Sequence, residues 1–420
     1  NIASTIRIGG LNLELEELSS EVVGAQLGQD ALKGSLIAGI IGLAIVCVFM
    51  CWVYLLPGLA SSLALILYTE LILILLNAFD ITLTLPGIAG IILGIGMAVD
   101  ANVIIFARVK EELTAGKSVH ASLKSGFQKA MSAIVDGNIT TLIAAGVLWL
   151  RGSGTVKGFA QTLALGIVVS MFTALVITRL IIFAFYGAGI HNEKVYGRHL
   201  KERKPVDFLG KKKIFFVISI ILCLAGPVMM GVNHARGIGA MNYSLDFVGG
   251  TSTNVTFDKE YTLEEIDSQM IPSLEEITGD KNIQVQTVKD SNQVVFKTQT
   301  LDLEKREALA SYLNENYGVE VSDIATENIS STVSSEMRRD AVIAVIIATI
   351  CMLLYIWFRF KDIRFATSAV VALMHDVLVV LGFYVIARVS VGNTFIACML
   401  TIVGYSINGT IVIFDRIREN

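Results

Sequence analysis

Read by polarity alone, the chain is a series of long apolar runs joined by short charged connectors, interrupted once by a long polar interval. Nine runs have about the 17–25 residues that a bilayer-crossing helix needs: Ser35–Leu55, Leu59–Ala78, Pro86–Ala107, Ala130–Leu150, Gly158–Ile177, Ile214–Val232, Ala341–Phe358, Phe365–Ala387 and Thr394–Phe414. Pro57-Gly58 supplies a turn between the first two, and Arg108–Lys129 reads as a charged, amphipathic linker. The interval 233–339 follows other rules. Alternating positions in Ser244–Phe257, Ile283–Thr298 and Val319–Ile324 predict strands, and helical spacing in Leu263–Leu274 and Leu303–Tyr317 predicts helices. The order strand–helix–strand–strand–helix–strand is the split βαβ, ferredoxin-like pattern.

These signals divide the chain into six parts. They are the tail of an extracytoplasmic domain at 1–34, a five-span membrane half at 35–187, a basic linker at 188–213, one span at 214–232, an outer domain at 233–339, and three spans at 340–420. The tail contains a strand-like piece, Ile6–Glu17, and both chain ends, Asn1 and Asn420, are expected to be cuts in a longer protein.

Composition supports a polytopic α-helical membrane protein. Of 420 residues, 54% are hydrophobic and only 17% charged, against about 25% charged in soluble domains; the mean hydropathy is +0.66. The net charge of −4 says little, because the placement of charge matters more than its sum. Lys and Arg crowd into 108–129, 191–213, 359–364 and 416–418, which all fall on one side if the spans alternate. The positive-inside bias makes that side the cytoplasm and places 233–339 outside.

The remaining chemistry is sparse. All five cysteines lie in apolar runs, and Cys47 and Cys51 share a helix face at a spacing that is not CxxC, so they read as small packing groups. Neither a GxxxxGK[ST] phosphate loop nor an HExxH zinc pair occurs. Gly94-Ile95-Gly96 lies inside a span, and five scattered histidines make no metal site. The chain therefore reads as a non-enzyme without cofactor or nucleic-acid partner, and any work it does must draw on an ion gradient.

A repeat runs through the membrane part. A shift of 308 positions lays Gly96 on Gly404, Arg108 on Arg416, Glu111 on Glu419 and Asp100 on Asn408. A shift of 306 lays Ala60 on Ala366, Ser62 on Ser368 and Glu70 on Asp376. Two halves with polar groups at matching depth are a transporter architecture, whose coupling site lies near the midplane between the repeats.

Asp100 is the leading site residue. It lies roughly 20 Å along its span at about 1.5 Å per residue, where an ionised group costs about 2.5–3.5 kcal/mol on insertion scales. An apolar surround penalises the charged form of a carboxyl group, the condition for taking up and releasing a proton. Asn102 and the small residues Gly90, Gly94, Gly96 and Ala98 surround it in sequence, and small residues let helices approach closely. Glu70, Asp376 beside His375, Asn408 and Thr140 are secondary candidates, with Thr140, Thr141 and Asn138 on the fourth span expected to face Asp100. Arg151 and Arg179 are expected to snorkel at span ends, and Arg108 and Arg416 to anchor the cytoplasmic ends.

At this point a resemblance becomes visible. GIAGIILGIGMAVDANVIIFARVKEEL and the later NITTLI resemble the fourth and fifth membrane spans of SecD, while SLDFVGGT, LMHDV and TIVGYSINGTIVIFDRIREN resemble SecF. The whole chain is similar to the fused SecDF family of the RND superfamily of proton-driven transporters. The resemblance implies a pseudo-duplicated RND-type bundle with a ferredoxin-like outer domain, in the bacterial cytoplasmic membrane. It also implies an accessory role in late steps of preprotein export, after the SecA ATPase has pushed the chain through the SecYEG channel. YajC-like and YidC-like membrane proteins and unfolded preprotein would be further partners. The coupling ion would be the proton; the sequence leaves sodium open.

Residue by residue, Asp100 matches the family's functional aspartate in the SecD half. The aspartate usual in the SecF half, directly after the Asn of a GYS-hydrophobic-Asn motif, is Gly409 here, and a functional arginine would lie past Asn420. The first span, most of the first periplasmic domain and the last two spans of a complete member are expected outside this sequence. Either Asp100 suffices as proton carrier, or Asp376 or Asn408 substitutes for the missing acid. Two other readings stay open: an RND-type exporter of small molecules or lipids, and a scaffold of the translocase without proton coupling.

Overall fold

The computed structural model describes residues 19–22, 25–152, 154–197, 207–281, 283–288 and 291–419. The strand-like piece expected at Ile6–Glu17 and much of the basic linker, 198–206, lie outside the described residues. The chain folds as two units, one of Asn1–Asp30 with Tyr243–Arg339 and one of Ala31–Asn242 with Asp340–Asn420.

Among the described residues nine helices are long and apolar enough to cross a membrane. The first five spans come from α1 (Ala25–Tyr54), α2 (Leu56–Ala78), α3 (Leu85–Thr114), α4 (Val119–Arg151) and the pair α5 (Gly154–Phe172) and α6 (Thr178–Gly187). A short helix α7 (Glu193–Tyr196) follows, then the sixth span, α8 (Lys212–Ala235). Helix α3 starts where Thr84 accepts from the Gly87 amide at 3.1 Å, with Pro86 in its first turn. Proline there needs no amide partner and is preset for the helix.

Two connections differ from expectation. Arg108–Lys129 is no separate amphipathic element, because α3 continues to Thr114 and α4 begins at Val119. Buried Glu112 explains the tight turn: Lys117 and Lys129 both pair with it, the latter at 2.7 Å. The fifth span runs beyond Ile177 through a π-turn at Thr173–Ile177, where the Thr178 hydroxyl donates to the Thr173 carbonyl at 3.1 Å.

The outer unit carries helices α9 (Leu245–Val248), α10 (Leu263–Gln269), α11 (Ile271–Thr278) and α12 (Leu303–Tyr317). Its strands are β1 (Ser19–Val22), β2 (Gly250–Thr256), β3 (Gln284–Thr287), β4 (Gln293–Thr298) and β5 (Ile324–Ile329), ordered β1-β5-β2-β4-β3 with every pair antiparallel. Strands β2 to β5 give the ferredoxin-like arrangement, with β1 added beside β5. The expected strand Ser244–Phe257 is split, since Ser244 opens α9 and Gly249 and Gly250 take φ of 81° and 123°, values that favour glycine. The strand expected at Val319–Ile324 begins only at Ile324, after a 3₁₀ turn. Val255, Phe257, Ile266, Leu274, Phe296 and Leu313 fill the core between sheet and helices.

Helices α13 (Ser331–Phe360), α14 (Ile363–Ile386) and α15 (Asn393–Glu419) close the chain. They repeat α1, α2 and α3 down to the turns. Among the described residues four non-glycine residues have positive φ: Leu55 at 57° and Lys361 at 54°, 306 positions apart, and Asp80 at 50° and Arg388 at 53°, 308 apart. Such backbone is uncommon outside glycine, so its recurrence at the sequence shifts marks a duplicated architecture. Between the halves, α4 and α15 cross closely. A Cβ on Gly137 would meet Asn408 Oδ1 at 1.9 Å, and one on Gly404 would meet the Thr141 Cα at 3.0 Å.

Candidate proton site at the seam of the two halves

Asp100 sits on α3, partly exposed, where the small residues of that helix let its neighbours approach. The hydroxyl of Tyr405, on α15 of the other half, donates to Asp100 Oδ2. Beside this pair is a cavity of ≈ 10 Å³, room for about one water. Met97, Asp100, Asn138, Thr141, Tyr405 and Asn408 line it. Four of these are two repeat pairs: Met97 with Tyr405 and Asp100 with Asn408, each 308 apart. The cavity thus lies where the halves meet about their pseudo-symmetry axis, and one of its two equivalent polar positions holds an acid, the other an amide.

The candidate residues separate into groups. Asn408 lines the cavity with its Oδ1 buried and without a hydrogen-bond partner. Asn138 and Thr141 line it too, as their place on the fourth span suggests. Thr140 turns away, its hydroxyl donating to the Gly137 carbonyl at 2.6 Å, with the Gly404 carbonyl at 3.5 Å. Asn102 is buried and donates to the Ala98 carbonyl of its own helix at 3.3 Å. Glu70 is exposed on α2 and is not among the cavity's lining residues.

Asp376, on α14, forms a second polar group. Ser406 donates to its Oδ2 at 2.5 Å, and His375 Nδ1 lies 2.9 Å from its Oδ1. Tyr405 and Ser406 are adjacent on α15, so one turn of that helix is held by two carboxylates from two other helices, Asp100 of α3 and Asp376 of α14.

The cationic positions are also rearranged. Arg108 is buried and pairs with Glu111 at 3.3 Å, while Arg416 crosses between the halves to Glu111 at 3.1 Å. Arg179 is exposed and lies near the rings of Phe127 and Phe183, 5.9 Å from each centroid. Arg151 is exposed at the end of α4.

Sequence reasoning missed two features. Tyr405 carries no signal except its register three residues before Asn408. The cluster of Asp136, Arg359 and Asp415 was overlooked although Asp136 lies inside an expected span, where an ionisable residue signals function by default.

The comparisons agree in direction. A sequence profile described as "Protein export membrane protein SecD/SecF, C-terminal" matches residues 7–187 and 309–420. The protein translocase subunit SecDF of Bacillus subtilis is 36% identical over the whole chain, which covers 58% of that protein. The SecDF of Thermus thermophilus is 35% identical, again over the whole chain and 56% of the relative. A crystal structure of SecDF from the same organism, titled a translocon-associated membrane protein, superimposes with a TM-score of 0.86 at 34% identity, covering 100% of this chain and 56% of that one. The hedgehog release protein Disp from a water bear shares the fold at 11% identity, with a TM-score of 0.50 over 92% of this chain and 61% of that one. The chain spans a little over half the length of these SecDF relatives, and with nine apolar helices it is a multi-pass membrane protein.

Proposed function

This chain belongs to the SecD/SecF family of protein-export membrane proteins, and on that ground we propose that it is a proton-driven accessory subunit of the Sec translocase. It works in the bacterial cytoplasmic membrane, with the basic connectors inside and 233–339 outside, and promotes late steps of preprotein export. SecYEG, SecA, YajC-like and YidC-like proteins and the unfolded preprotein are its partners. One observation carries the reading: the Asp100 carboxyl within a membrane helix, bonded across the repeat by Tyr405 and bordering a water-sized cavity on the pseudo-axis.

The steps follow from that geometry. Ionised Asp100 accepts the Tyr405 hydroxyl in a charge-assisted bond, the stronger kind. Taking up a proton removes the charge and weakens the link between α3 and α15, so the halves reposition, carrying the outer domain and catching the emerging polypeptide. Release of the proton to the other side restores the bond. One charge moving through 100 mV supplies about 2.3 kcal/mol, which shifts a two-state equilibrium roughly 50-fold at about 1.4 kcal/mol per factor of ten.

An exporter of small molecules is disfavoured at this site, since its cavity of ≈ 10 Å³ is far below the roughly 300–1,000 Å³ of ligand pockets. The scaffold reading draws on Gly409, which leaves the second half without its usual acid. Secretion of a reporter separates the two, measured with and without a membrane potential in the native protein and in Asp100→Asn. Loss of the potential-dependent part in Asp100→Asn supports proton coupling. Equal secretion in both proteins, indifferent to collapse of the potential, sinks it.

A further inference from the structure

We propose that Asp415 is a second proton-exchanging carboxyl, and that its protonation decides whether Arg359 clasps the two halves together. This rests on the proton-coupled reading above but concerns a different group of residues. Asp136 and Ser132 come from α4 of the first half. Tyr355 and Arg359 on α13, and Asp415 and Arg418 on α15, come from the second. Asp136 and Asp415 are only 5% and 6% exposed, so two carboxyl groups are buried around one largely buried guanidinium.

Their hydrogen bonds are unequal. Asp136 is fully served: Tyr355 donates to Oδ1 at 2.8 Å and Arg359 Nε to Oδ2 at 2.6 Å. Asp415 is not. Its Oδ1 is buried with no hydrogen-bond partner, and its Oδ2 has only the Ser132 hydroxyl, at 3.4 Å. Arg359 Nη2 stands 4.0 Å and half-exposed Arg418 Nη2 3.5 Å from Oδ1. Ser132 accepts from Arg359, so its single hydrogen faces Asp136 Oδ2 and Asp415 Oδ2 at the same 3.4 Å. The other neighbours are aromatic: Phe360 lies under both Arg359 and Arg418, and α14 meets it through the Phe365 ring, 5.6 Å away.

A buried ionised carboxylate with one oxygen lacking a hydrogen bond, and guanidiniums only at the longer ion-pair distances of 3.5 and 4.0 Å, is costly, and a proton removes that cost. With Asp415 protonated, Arg359 stays on Asp136 and ties α13 to α4, across the halves. With Asp415 ionised, the guanidinium has two buried anions to serve, and turning toward Asp415 keeps it within the second half and frees α4. Asp136 directly precedes Gly137, which packs on Asn408 at the Asp100 cavity. The clasp therefore acts on the helix that lines the first proton site.

The test uses the full chain in lipid vesicles, with spin labels at exposed Met131 on α4 and Trp357 on α13 and the native cysteines replaced. Infrared difference spectra across a pH titration follow the protonated carboxyl band. The native protein and Asp100→Asn are expected to show a titrating band that Asp415→Asn loses, together with the pH-dependent change in label distance. Ser132→Ala keeps both carboxyls, guards against misfolding of the Asn variant, and is expected to move the titration midpoint. A band and a distance change that are the same in the native protein, Asp415→Asn and Ser132→Ala overturn the proposal. Because Asp100→Asn is judged on export and Asp415→Asn on these two signals, failure of one reading is distinguishable from failure of the other.

Discussion

The side-chain Oδ1 of Asn408 lies so close over Gly137 that a methyl group there would stand 1.9 Å from it. The bare position 137 leaves the room that the Asn408 side chain fills, and the crossing of α4 and α15 sets one wall of the Asp100 cavity. Gly137→Ala is therefore expected to push the Asn408 side chain off its place at the cavity, at a cost of about 1–3 kcal/mol for overpacking. Thermal unfolding in detergent should show a lowered midpoint, and reporter export should fall with it. An unchanged midpoint would mean that the seam is looser than the geometry says.

Gly409 is the contrasting case. A Cβ there meets nothing within 4 Å, and its place in a helix interior gives alanine an advantage of up to about 1 kcal/mol. Gly409→Ala is expected to leave the unfolding midpoint unchanged or raise it. Gly409→Asp, which supplies the acid that the resemblance implies at this position, should fold as well and raise export when the proton gradient is limiting. A drop in export in Gly409→Asp would count against a second proton position at this point of the repeat.

Tyr405→Phe keeps the ring and removes only the hydroxyl that reaches Asp100. A hydrogen bond to a charged group is worth about 1.5–3 kcal/mol, so the two states of the seam should change balance by roughly tenfold or more. Potential-dependent export is expected to fall by about that factor, with the unfolding midpoint little altered. Full export in Tyr405→Phe would remove the cross-half bond from the mechanism while leaving Asp100 itself untouched.

The difference between what could and could not be read from the chain follows interaction range. The nine spans and helix α12 were legible because length and periodicity are local properties, and the repeat shifts of 306 and 308 recur in the structure as the paired positive-φ turns. Strand boundaries in the outer unit were misplaced by backbone features, the positive-φ Gly249 and Gly250 where β2 begins and the 3₁₀ turn before β5. The partners were least legible. Tyr405 meets Asp100 across 305 positions and Arg359 meets Asp136 across 223, and nothing near Arg359 in sequence separates a buried counter-ion from one more basic residue at a span end.

In the outer unit, Thr262 and Glu265 cap α10 reciprocally: the Thr262 hydroxyl accepts from the Glu265 amide at 3.3 Å, and the Glu265 carboxylate accepts from the Thr262 amide at 2.9 Å. The Thr262 amide first, and then the Thr262 hydroxyl, which donates to the same carboxylate at 2.9 Å, hold the Glu265 carboxyl below the usual carboxylate range. A lowered folded value means the contribution is present above the unfolded value and fades as pH falls through the folded one. Thr262→Ala should cost about 1 kcal/mol, seen as faster amide exchange along α10 at neutral pH. The gap between variant and native protein should narrow in acid; a gap that stays constant would show that the carboxylate takes no part.

Gly226 of α8 and Gly382 of α14 bring two backbones together within the second half: a Cβ on Gly226 would lie 2.7 Å from the Gly382 Cα. Apart from this crossing α8 is mostly exposed, with large apolar side chains such as Phe216, Ile221 and Val228 facing outward. In a bilayer those side chains gain little by leaving lipid, so close packing of small residues is what holds the helix. Gly226→Leu is therefore expected to detach α8, whereas Phe216→Leu, away from the crossing, should not. Cross-linking between cysteines placed at positions 222 and 378, where the Leu222 and Leu378 carbonyls approach the glycine pair, would report it. Cross-linking should be lost in the first variant and kept in the second. Equal yields in both would mean that α8 is held by its apolar surface and not by the glycine contact.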